Sequence, residues 1–387
     1  MSEWRAANLG SVASVRSGHP FLSSEWQQSG TRVVKIANVK SGELDMTAAS
    51  FVSAETALRA HQHVLSVGDI LIAMTGYVGE VARVRTSEPL LLNQRVGRFE
   101  VTDPHSLDPG FLFYWLRADS SKDQFVGLAY GSAQPNLSPA SIGSVNIVLP
   151  PLPEQQAIAE VLGSLDDKIA ANTKLAATAD SVASTILLLS LSGEWARLAD
   201  IAVITMGSSP KGEALNEIGE GVPFYQGVRD FGMRAPTRRV FTTGPVRMAA
   251  QGDVLVSVRA PVGDVNLADE ALCIGRGIAA VRSANDTQST LFHQLRSERA
   301  AWEPFEAEGT VFGSINRGQL HGIRLRTVKG ELVQRIEDEL MTVEAAISKL
   351  LEENRTLAAT RDALLPQLMS GKLRVREAEN LARESGL

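Results

Sequence analysis

The chain repeats itself over most of its length, and this duplication restricts the possible folds more than any other feature. Residues 65–81 align with residues 249–265 at an offset of 184, with six identical positions that include Gly68-Asp69 and Gly252-Asp253. The segment LAATAD at 175–180 recurs as LAATRD at 357–362. A period of this length is far longer than a solenoid repeat of about 20–50 residues. The sequence therefore predicts two similar, collinear halves.

Each half is predicted to begin with short strands and to end in one long helix. Runs such as Ile70-Leu71-Ile72 and Val254-Leu255-Val256 have the length and composition of strands. Apolar residues then recur at alternating spacings of three and four, as in a coiled coil, with one Asn in each seam. The predicted seam residues are Ile158, Leu162, Leu165, Ile169 and Asn172, and Ile336, Leu340, Val343, Ile347, Leu350, Asn354 and Leu357.

The ends of these helices are also marked in the sequence. Pro153 and Glu154 are typical of a first helical turn, whereas Gly193 and Gly371 are expected to be C-terminal caps. Pro366 is expected to kink or end the second helix near its last turn. Two matched helices in one chain most simply pair antiparallel, although two amphipathic helices packed on separate cores remain an alternative.

These patterns predict an α+β fold. It has two mixed α/β globular domains related by pseudo-twofold symmetry and separated by two long antiparallel coiled-coil helices. The predicted segments are a first globular domain at 1–150, a central helix at 151–193, a second globular domain at 194–328, and a distal helix with a C-terminal tail at 329–387.

The sequence carries no convincing catalytic constellation. Gly207–Gly212 has the glycine spacing of a P-loop but lacks its Lys, and Gly275–Ala280 is a lone dinucleotide-type match. His61 and His63 have no nearby third metal ligand, and we expect Cys273 to be a buried, inert thiol. Asp166 and Asp167 are neighbours on a helix and cannot share a face as an acid/base pair. We therefore expect a binding protein rather than an enzyme, with no metal site.

Charge and hydropathy narrow the setting. The chain has 38 Lys and Arg against 44 Asp and Glu, a net charge of −6, which argues against a general polyanion binder. No signal peptide and no apolar run long enough for a membrane helix is visible. We expect a cytoplasmic protein with no membrane contact.

Clusters of basic, amide and aromatic residues nevertheless suggest local contacts to nucleic acid. The guanidinium group of Arg matches guanine edges and phosphates, and Asn and Gln match adenine. The candidate DNA-binding residues are Lys35, Asn38, Lys40, Tyr77, Asn93, Gln94, Arg95 and Gln134 in the first half, and Arg229, Arg234, Arg238, Arg239, Arg259, Arg276 and Arg317 in the second.

Several motifs resemble the specificity (S) subunits of type I restriction-modification systems. They are GSAQPNLSPASI at 131–142, VLPPLPEQQAIAEVL at 148–162, LDDKI at 165–169 and RDALLPQLMSGKL at 361–373. Pro153, Glu154, Gln155 and Ile158 match the family motif at the helix start. The second half departs from the family pattern, because TVKGE at 327–331 replaces the PLPEQ segment.

The resemblance implies a DNA sequence-specificity role. In this family each recognition domain reads one half of a bipartite duplex-DNA target, and the paired helices set the unread gap and dock methyltransferase (M) subunits. The specificity subunit is not catalytic itself. The assembled complex is a DNA adenine methyltransferase that uses S-adenosylmethionine on M, and an endonuclease whose translocase/nuclease (R) subunits use ATP and Mg²⁺.

Two other interpretations remain open on the sequence alone. The chain could be a coiled-coil scaffold that joins two protein-binding modules without DNA specificity. It could also be a specificity subunit that serves methylation without restriction. The collinear duplication and the LPPLPEQ-type junction favour the DNA adaptor over the scaffold.

Overall fold

The computed structural model describes residues 4–129, 135–306 and 313–386. The chain divides into two compact units. Unit 1 contains the residues up to Ala170 together with those from Glu353 onwards, and unit 2 runs from Ala171 to Glu352. The candidate Gln134 lies outside the described residues.

The strands of unit 1 form two larger sheets and two ribbons. Their orders are β10-β9-β12-β2, β3-β7-β4-β11-β8, β1-β13 and β5-β6. The strands are β1 Arg5–Asn8, β2 Ala13–Ser17, β3 Trp26–Gln27, β4 Thr31–Val34, β5 Val39–Lys40, β6 Glu43–Leu44, β7 Ser50–Val52, β8 Val64–Leu65, β9 Ile70–Ala73, β10 Val81–Arg83, β11 Leu90–Leu92, β12 Val96–Val101 and β13 Asn146–Leu149.

The described part of unit 2 repeats the two larger sheets and the β1-β13 ribbon, but has no counterpart of the β5-β6 ribbon. Its sheets have the orders β15-β23-β20-β21, β16-β18-β17-β22-β19 and β14-β24, and β17 pairs parallel with β22 as β4 does with β11. The strands are β14 Leu191–Arg197, β15 Ala202–Met206, β16 Leu215–Asn216, β17 Val222–Tyr225, β18 Phe241–Thr242, β19 Met248–Ala249, β20 Val254–Ser257, β21 Val265–Leu267, β22 Leu272–Ile274, β23 Ile278–Ser283 and β24 Arg324–Val328.

Two long α-helices and eight shorter ones complete the described part of the chain. The α-helices are α1 Ala54–Arg59, α2 Pro109–Arg117, α3 Asp119–Leu128, α4 Pro139–Gly143, α5 Leu152–Ser190, α6 Leu198–Ile201, α7 Gln288–Ser297, α8 Arg317–Gly322, α9 Val333–Met369 and α10 Val375–Glu384. Short 3-10 helices span Leu9–Ser11, Ser23–Glu25, Ile36–Asn38, His61–His63, Gly212–Ala214, Val228–Asp230, Arg299–Ala301, Glu303–Phe305 and Gly330–Leu332.

The central strands are apolar throughout because both of their faces are buried. In β9, Ile70 and Ile72 join the core beneath α2, whereas Leu71 and Ala73 join the cluster shared with β11. The repeated Gly-Asp motif is the turn that precedes this strand. Gly68 has φ +95°, and the Asp69 carboxylate accepts the backbone N–H of Ser66 at 2.8 Å. The motif therefore has a structural role.

The long helices pair antiparallel within each unit. In unit 1, Ile158 and Leu162 of α5 pack against Leu364 and Leu368 of α9. In unit 2, the cluster that contains Ala183 and Leu187 of α5 also contains Ile336 and Leu340 of α9. Residue numbers increase along α5 as those of the contacting residues of α9 decrease, so the two helices run in opposite directions. The predicted α+β fold with paired long helices is confirmed.

Most of the predicted seam is buried, and its polar positions lie within it. Within the seam, the fully buried apolar residues are Ile158, Leu162, Leu165, Ile336, Leu340, Ile347 and Leu357. Ile169, Val343, Leu350 and Asn354 are half-buried, and Asn172 is buried. The Asn354 side chain donates to the Ile169 carbonyl at 3.3 Å, so this Asn satisfies a backbone group of the partner helix.

One predicted helix end is wrong. α5 ends at Ser190, and Gly193 lies inside β14, because residues 191–197 pair with β24 instead of capping the helix. Gly371 does have the left-handed conformation of a C-cap, with φ +68°, and α9 ends one turn after Pro366. The chain then turns into α10, whose Ala378 and Ala382 complete the core of unit 1. No helix in the described ranges is long and apolar enough to span a membrane.

Candidate nucleic-acid interface

Three loops of unit 1 are joined by backbone hydrogen bonds at one edge of the domain. The Met74 N–H donates to the Arg95 carbonyl at 3.1 Å, and the Met74 carbonyl accepts from the Leu137 N–H at 2.7 Å. The Gly76 N–H donates to the Pro135 carbonyl at 3.1 Å. We call residues 74–77, 93–95 and 135–137 the loop edge of unit 1. This bonding holds the three loops in one rigid frame.

The side chains of this edge are polar. They border a cleft of about 520 Å³ that includes Thr75, Gln94 and Arg95. The Thr75 hydroxyl donates to Asn136 Oδ1 at 2.7 Å. Gln94 and Arg95 are exposed, and Arg95 has no acidic partner within the described ranges. Tyr77 is 61% exposed beside them. The edge thus offers an amide, a guanidinium and an aromatic ring to a ligand.

Unit 2 contains the same frame. The Val258 N–H donates to the Gly277 carbonyl at 2.9 Å, and the Val258 carbonyl accepts from the Ile315 N–H at 3.0 Å. The Ala260 N–H donates to the Gly313 carbonyl at 2.9 Å. Residues 258–261, 275–277 and 313–315 form the loop edge of unit 2. The backbone arrangement has therefore been kept in both halves.

The side chains on the two frames differ. Arg259 takes the place that Thr75 has in unit 1. Arg259 forms an isolated β-bridge with Ser314 of the third loop, as Thr75 does with Asn136. Arg276 stands in the turn after β22, where unit 1 has Gln94. Both arginines are exposed and have no acidic partner in the part of unit 2 that is described. One backbone frame thus presents two different sets of donors and acceptors.

Three candidates in the first half are engaged in local structure. Asn38 is 3% exposed, accepts the Lys35 N–H and donates to the Asp45 carbonyl, both at 2.8 Å. Lys40 pairs with Asp45 at 2.8 Å, and the hydrogen bond from Lys40 lowers the pKa of the Asp45 carboxyl. Lys35 Nζ donates to the Ser50 hydroxyl at 3.0 Å. Asn38 in particular is a structural residue of the turn and does not face a ligand.

The cluster of arginines in the second half is divided by the fold. Arg234 is only 4% exposed, and its guanidinium is shared by Glu344 and Asp180. Its placement disagrees with the expectation of a DNA contact, because the guanidinium is buried and already donates to two carboxylates. Arg238 pairs with Glu270 at 2.6 Å, and Arg239 pairs with Asp230 at 2.8 Å. Both of these remain on the surface as ion pairs.

The remaining candidates are exposed or lie in turns. Arg229 follows β17 on a 3-10 helix and is exposed. Arg317 begins α8 and lies 3.5 Å from His321. Asn93 accepts the backbone N–H of Arg95 at 3.3 Å and shapes the turn. The candidates that combine exposure with a place on a loop edge are Tyr77, Gln94, Arg95, Arg259 and Arg276.

The helix-start motif has a clear structural role. Pro153 is exposed and Glu154 is half-buried, whereas Gln155 is fully buried. The Gln155 amide donates to the carbonyls of Ser106 and Pro150 at 2.9 and 2.8 Å and accepts the N–H of Asp108 at 2.9 Å. It therefore connects the start of α5 to the loop that leads into α2.

A buried ion-pair cluster in unit 1 joins three helices. Asp166 of α5 accepts the Tyr114 hydroxyl at 2.8 Å and the Arg117 guanidinium at 3.0 Å, both from α2. It also accepts Arg361 of α9 at 2.7 Å. Burial alone would raise the pKa of the Asp166 carboxyl, but Arg117 and Arg361 outweigh it and hold this pKa below its usual value. Asp167 instead faces solvent and pairs with Arg85. We call Asp166 and its three partners the Asp166 cluster.

Unit 2 has a corresponding group. Glu344 of α9 accepts Arg234 at 2.9 and 3.1 Å and lies 2.9 Å from His293 Nε2 of α7. Asp180 of α5 accepts Arg296 of α7 at 2.6 and 2.9 Å. Burial would raise the pKa of Glu344, but the hydrogen bond from His293 and the charge of Arg234 lower it. We call these five residues the Glu344 cluster.

The Glu344 cluster contains residue types that bind metal ions, but its carboxylates are already neutralised by arginines. Ligand atoms of Asp180, His293 and Glu344 lie within 4.8 Å of one another. The guanidinium groups of Arg234 and Arg296 already neutralise both carboxylates. A divalent cation would have to displace Arg234 from a buried position, so the residues do not fit a metal.

These two clusters were not predicted as functional groups from the sequence. The available signal was the presence of acidic residues next to seam positions, since Asp166 follows Leu165 and Glu344 follows Val343. Their partners are distant in sequence, and only the packing of α2 and α7 on the long helices brings them together.

Comparison with known proteins agrees with this architecture. Residues 1–179 match the family described as Type I restriction modification DNA specificity domain. The type I restriction enzyme MjaX specificity subunit of Methanocaldococcus jannaschii is 25% identical, over 97% of this chain and 94% of its own length. The MjaVIII specificity subunit of the same organism is 32% identical over 50% of this chain and 46% of its own length.

A solved structure has the same fold. The type I restriction-modification S subunit of M. genitalium matches with a TM-score of 0.58 and 16% identity, over 94% of this chain and 96% of that chain. The similar proteins are specificity subunits, and specificity subunits are non-catalytic. Together, the matched family and the similar proteins support a DNA sequence-specificity role for this chain in a type I restriction-modification system.

Proposed function

We propose that each loop edge reads one half of a bipartite duplex-DNA site. The observation that carries this proposal is the recurrence of one hydrogen-bonded backbone frame with different side chains, Thr75 and Gln94 in unit 1 against Arg259 and Arg276 in unit 2. A protein that reads two unlike half-sites needs a common scaffold and divergent readers. Exposed Arg and Gln are suited to guanine and adenine edges in the major groove.

The net charge of −6 is compatible with this proposal because base readers and phosphate contacts are separate tasks. The arginines at the edge of unit 2 are not neutralised by acidic groups of the described residues. Much of the phosphate contact would come from partner subunits in the assembly.

The paired helices would set the gap between the half-sites and dock methyltransferase subunits. The half of α5 that belongs to unit 2 supports docking, because Leu175, Val182 and Leu189 are 55%, 48% and 77% exposed at heptad spacing. Residues 171–190 contain two charged residues, Lys174 and the half-buried Asp180. Such an apolar, weakly charged helix face is typical of a protein interface.

In the assembled complex, the methyltransferase subunits would hold S-adenosylmethionine, and the translocase/nuclease subunits would use ATP and Mg²⁺. The present chain would bind none of these groups. The alternative of a scaffold without DNA specificity does not account for exposed, unneutralised arginines on the repeated loop edges.

The test uses adenine methylation as a record of specificity. The chain is expressed with its methyltransferase subunit, as wild type, Arg259→Ala, Arg276→Ala and the surface control Arg197→Ala, and methylated adenines are mapped genome-wide. Loss of a base reader should weaken discrimination at one position of one half-site, by about 1–3 kcal/mol. Arg197→Ala, which removes an exposed ion pair with Asp200, should leave the methylated sequence unchanged.

Two outcomes would count against the proposal. The first is a wild-type complex that methylates no bipartite sequence. The second is an unchanged target sequence in both Arg259→Ala and Arg276→Ala, which would remove these residues from the recognition surface.

A further inference from the structure

The Asp166 cluster joins the globular part of unit 1 to both long helices through one carboxylate. Tyr114 and Arg117 belong to α2 of the globular part, Asp166 belongs to α5, and Arg361 belongs to α9. Asp166 is 7% exposed. The four groups can form these bonds together only when α2 lies at one height along the helix pair.

The same arrangement survived the duplication. Glu344 corresponds to Asp166 in the repeat, because the two residues are 178 positions apart. The seam residues Ile158 and Ile336 are related by the same offset. His293 and Arg296 of α7 follow Tyr114 and Arg117 of α2 at an offset of 179. In each unit a carboxylate beside the seam thus meets the aromatic position of the short helix, at 2.8 Å in unit 1 and 2.9 Å in unit 2.

The residue that the other long helix contributes to each cluster has opposite charge in the two units. In unit 1 the other long helix contributes the cation Arg361, whereas in unit 2 it contributes the anion Asp180, and Arg234 enters between the two carboxylates. Both clusters remain charge-paired after this change. The chemistry was altered, but the connection of the short helix to both long helices was kept.

Stability alone does not explain this retention. A buried ion pair is on balance no better for stability than well-packed apolar residues, because the charges lose their hydration. What it adds is directionality, since hydrogen bonds are satisfied at one relative position of the elements. The apolar seam, in contrast, could accept a slip of the short helix along the pair.

We infer that Asp166 and Glu344 are positioning residues that hold each recognition domain at one place on the helix pair, and that they thereby determine how strictly the gap between half-sites is measured. This inference rests on the proposed function. It concerns the tolerance in gap length and not the sequence of either half-site.

The experiment uses the full chain with its methyltransferase subunit and a library of targets in which the two half-sites are separated by gaps of varied length. Asp166→Asn and Glu344→Gln keep the shape of each side chain but remove its charge. Methylation at gaps one base pair longer or shorter than the preferred gap should rise by about tenfold relative to the preferred gap, which corresponds to about 1.4 kcal/mol. The half-site sequences should not change.

The matched control is Asp167→Asn, which removes the neighbouring charge from an exposed ion pair with Arg85. It should keep the wild-type gap preference. If Asp166→Asn fails to fold, Tyr114→Phe provides a milder test, because it deletes one hydrogen bond and leaves the carboxylate paired with both arginines. This variant should broaden the gap preference by a smaller factor.

The outcomes separate this inference from the proposed function. Bipartite methylation by wild type together with an unchanged gap profile in Asp166→Asn, Glu344→Gln and Tyr114→Phe would overturn the positioning role alone. Absence of any bipartite specificity in the wild type would overturn the proposed function. A variant that changes a half-site sequence would show that the cluster acts on base reading, again against the inference.

Discussion

Arg234 provides the sharpest test of how this fold uses its charges. The sequence groups it with Arg238 and Arg239, yet the structure buries it between Glu344 and Asp180. Its Nε and Nη2 donate to Glu344 at 2.9 and 3.1 Å, and Nη2 also donates to Asp180. Substitution of Arg234 by Ala removes the cation but leaves both carboxylates in place.

The expected loss of stability depends on the bonds that Asp180 and Glu344 keep in the variant. Removal of one member of a buried ion pair costs about 3–5 kcal/mol. Asp180 keeps its two bonds to Arg296, and Glu344 keeps His293, so we expect the lower end, about 3 kcal/mol. Arg238→Ala breaks an exposed pair with Glu270, whose side chains are 59% and 35% exposed, and should cost about 0–1 kcal/mol.

The assay is denaturant unfolding of both variants and of the wild type. Unfolding is followed by hydrogen exchange of α7 and by the fluorescence of Trp302, which is buried in the core of unit 2.

The pH dependence of stability gives a second readout. The pKa of Glu344 is lowered in the folded protein, so its contribution is present at neutral pH. This contribution is lost as the pH falls below about 4.3, the unfolded value, towards the lower folded value.

Arg234→Ala should therefore lose stability at neutral pH and show a weaker further loss on acidification, because part of the cause of the lowered pKa is gone. The reasoning is refuted if Arg234→Ala costs no more than Arg238→Ala, or if it is as stable as wild type while DNA discrimination drops. The first result would mean that the buried pairing of Arg234 contributes little to stability, and the second that Arg234 acts in DNA binding.

Two further predictions concern the backbone and the helix pair. Gly263→Ala should destabilise unit 2 by about 3 kcal/mol or more, because φ is +82° and the new Cβ would lie 2.2 Å from Trp302 Cγ. Gly68→Ala, at φ +95° in open space, should cost only about 1–2 kcal/mol. Equal thermal midpoints for the two variants would contradict this prediction. Insertion of one heptad after Ala171 and a matching heptad after Leu351 should lengthen the preferred gap by about three base pairs, since seven residues add about 10 Å and a base pair about 3.4 Å. A methylation map with the original gap would exclude a measuring role for the helices, and insertion in one helix alone is the control that should disrupt their pairing.

The candidate interface was only partly predictable. Sequence chemistry placed Arg259 and Arg276, which are exposed, among the candidate DNA contacts, but it treated the buried Asn38 and Arg234 in the same way. Asn38 is used by a turn whose partner Asp45 lies seven residues away, and Arg234 meets carboxylates 54 and 110 positions away. An Arg fork has the same appearance in the sequence whether its partner is a phosphate or a buried carboxylate, so composition alone could not separate the two.

The fold was far more accessible. The heptad spacing identified α5 and α9 because burial of one helix face requires apolar residues every three or four positions. The end of α5 was misjudged at Gly193, since a glycine after a helix is equally compatible with a cap and with a strand. The pairing of β14 with β24, which lies more than 130 residues later, decides between them.

The sequence by itself determined the duplication, because repeated segments can be read directly from it. It also determined the long helices and the apolar strands, because both depend on a local periodicity that burial imposes on neighbouring residues. Only the tertiary structure decided which charges are buried and which are free to meet a ligand. That decision depends on the solvation and pairing of groups that are far apart in the chain, and no local pattern in the sequence records it.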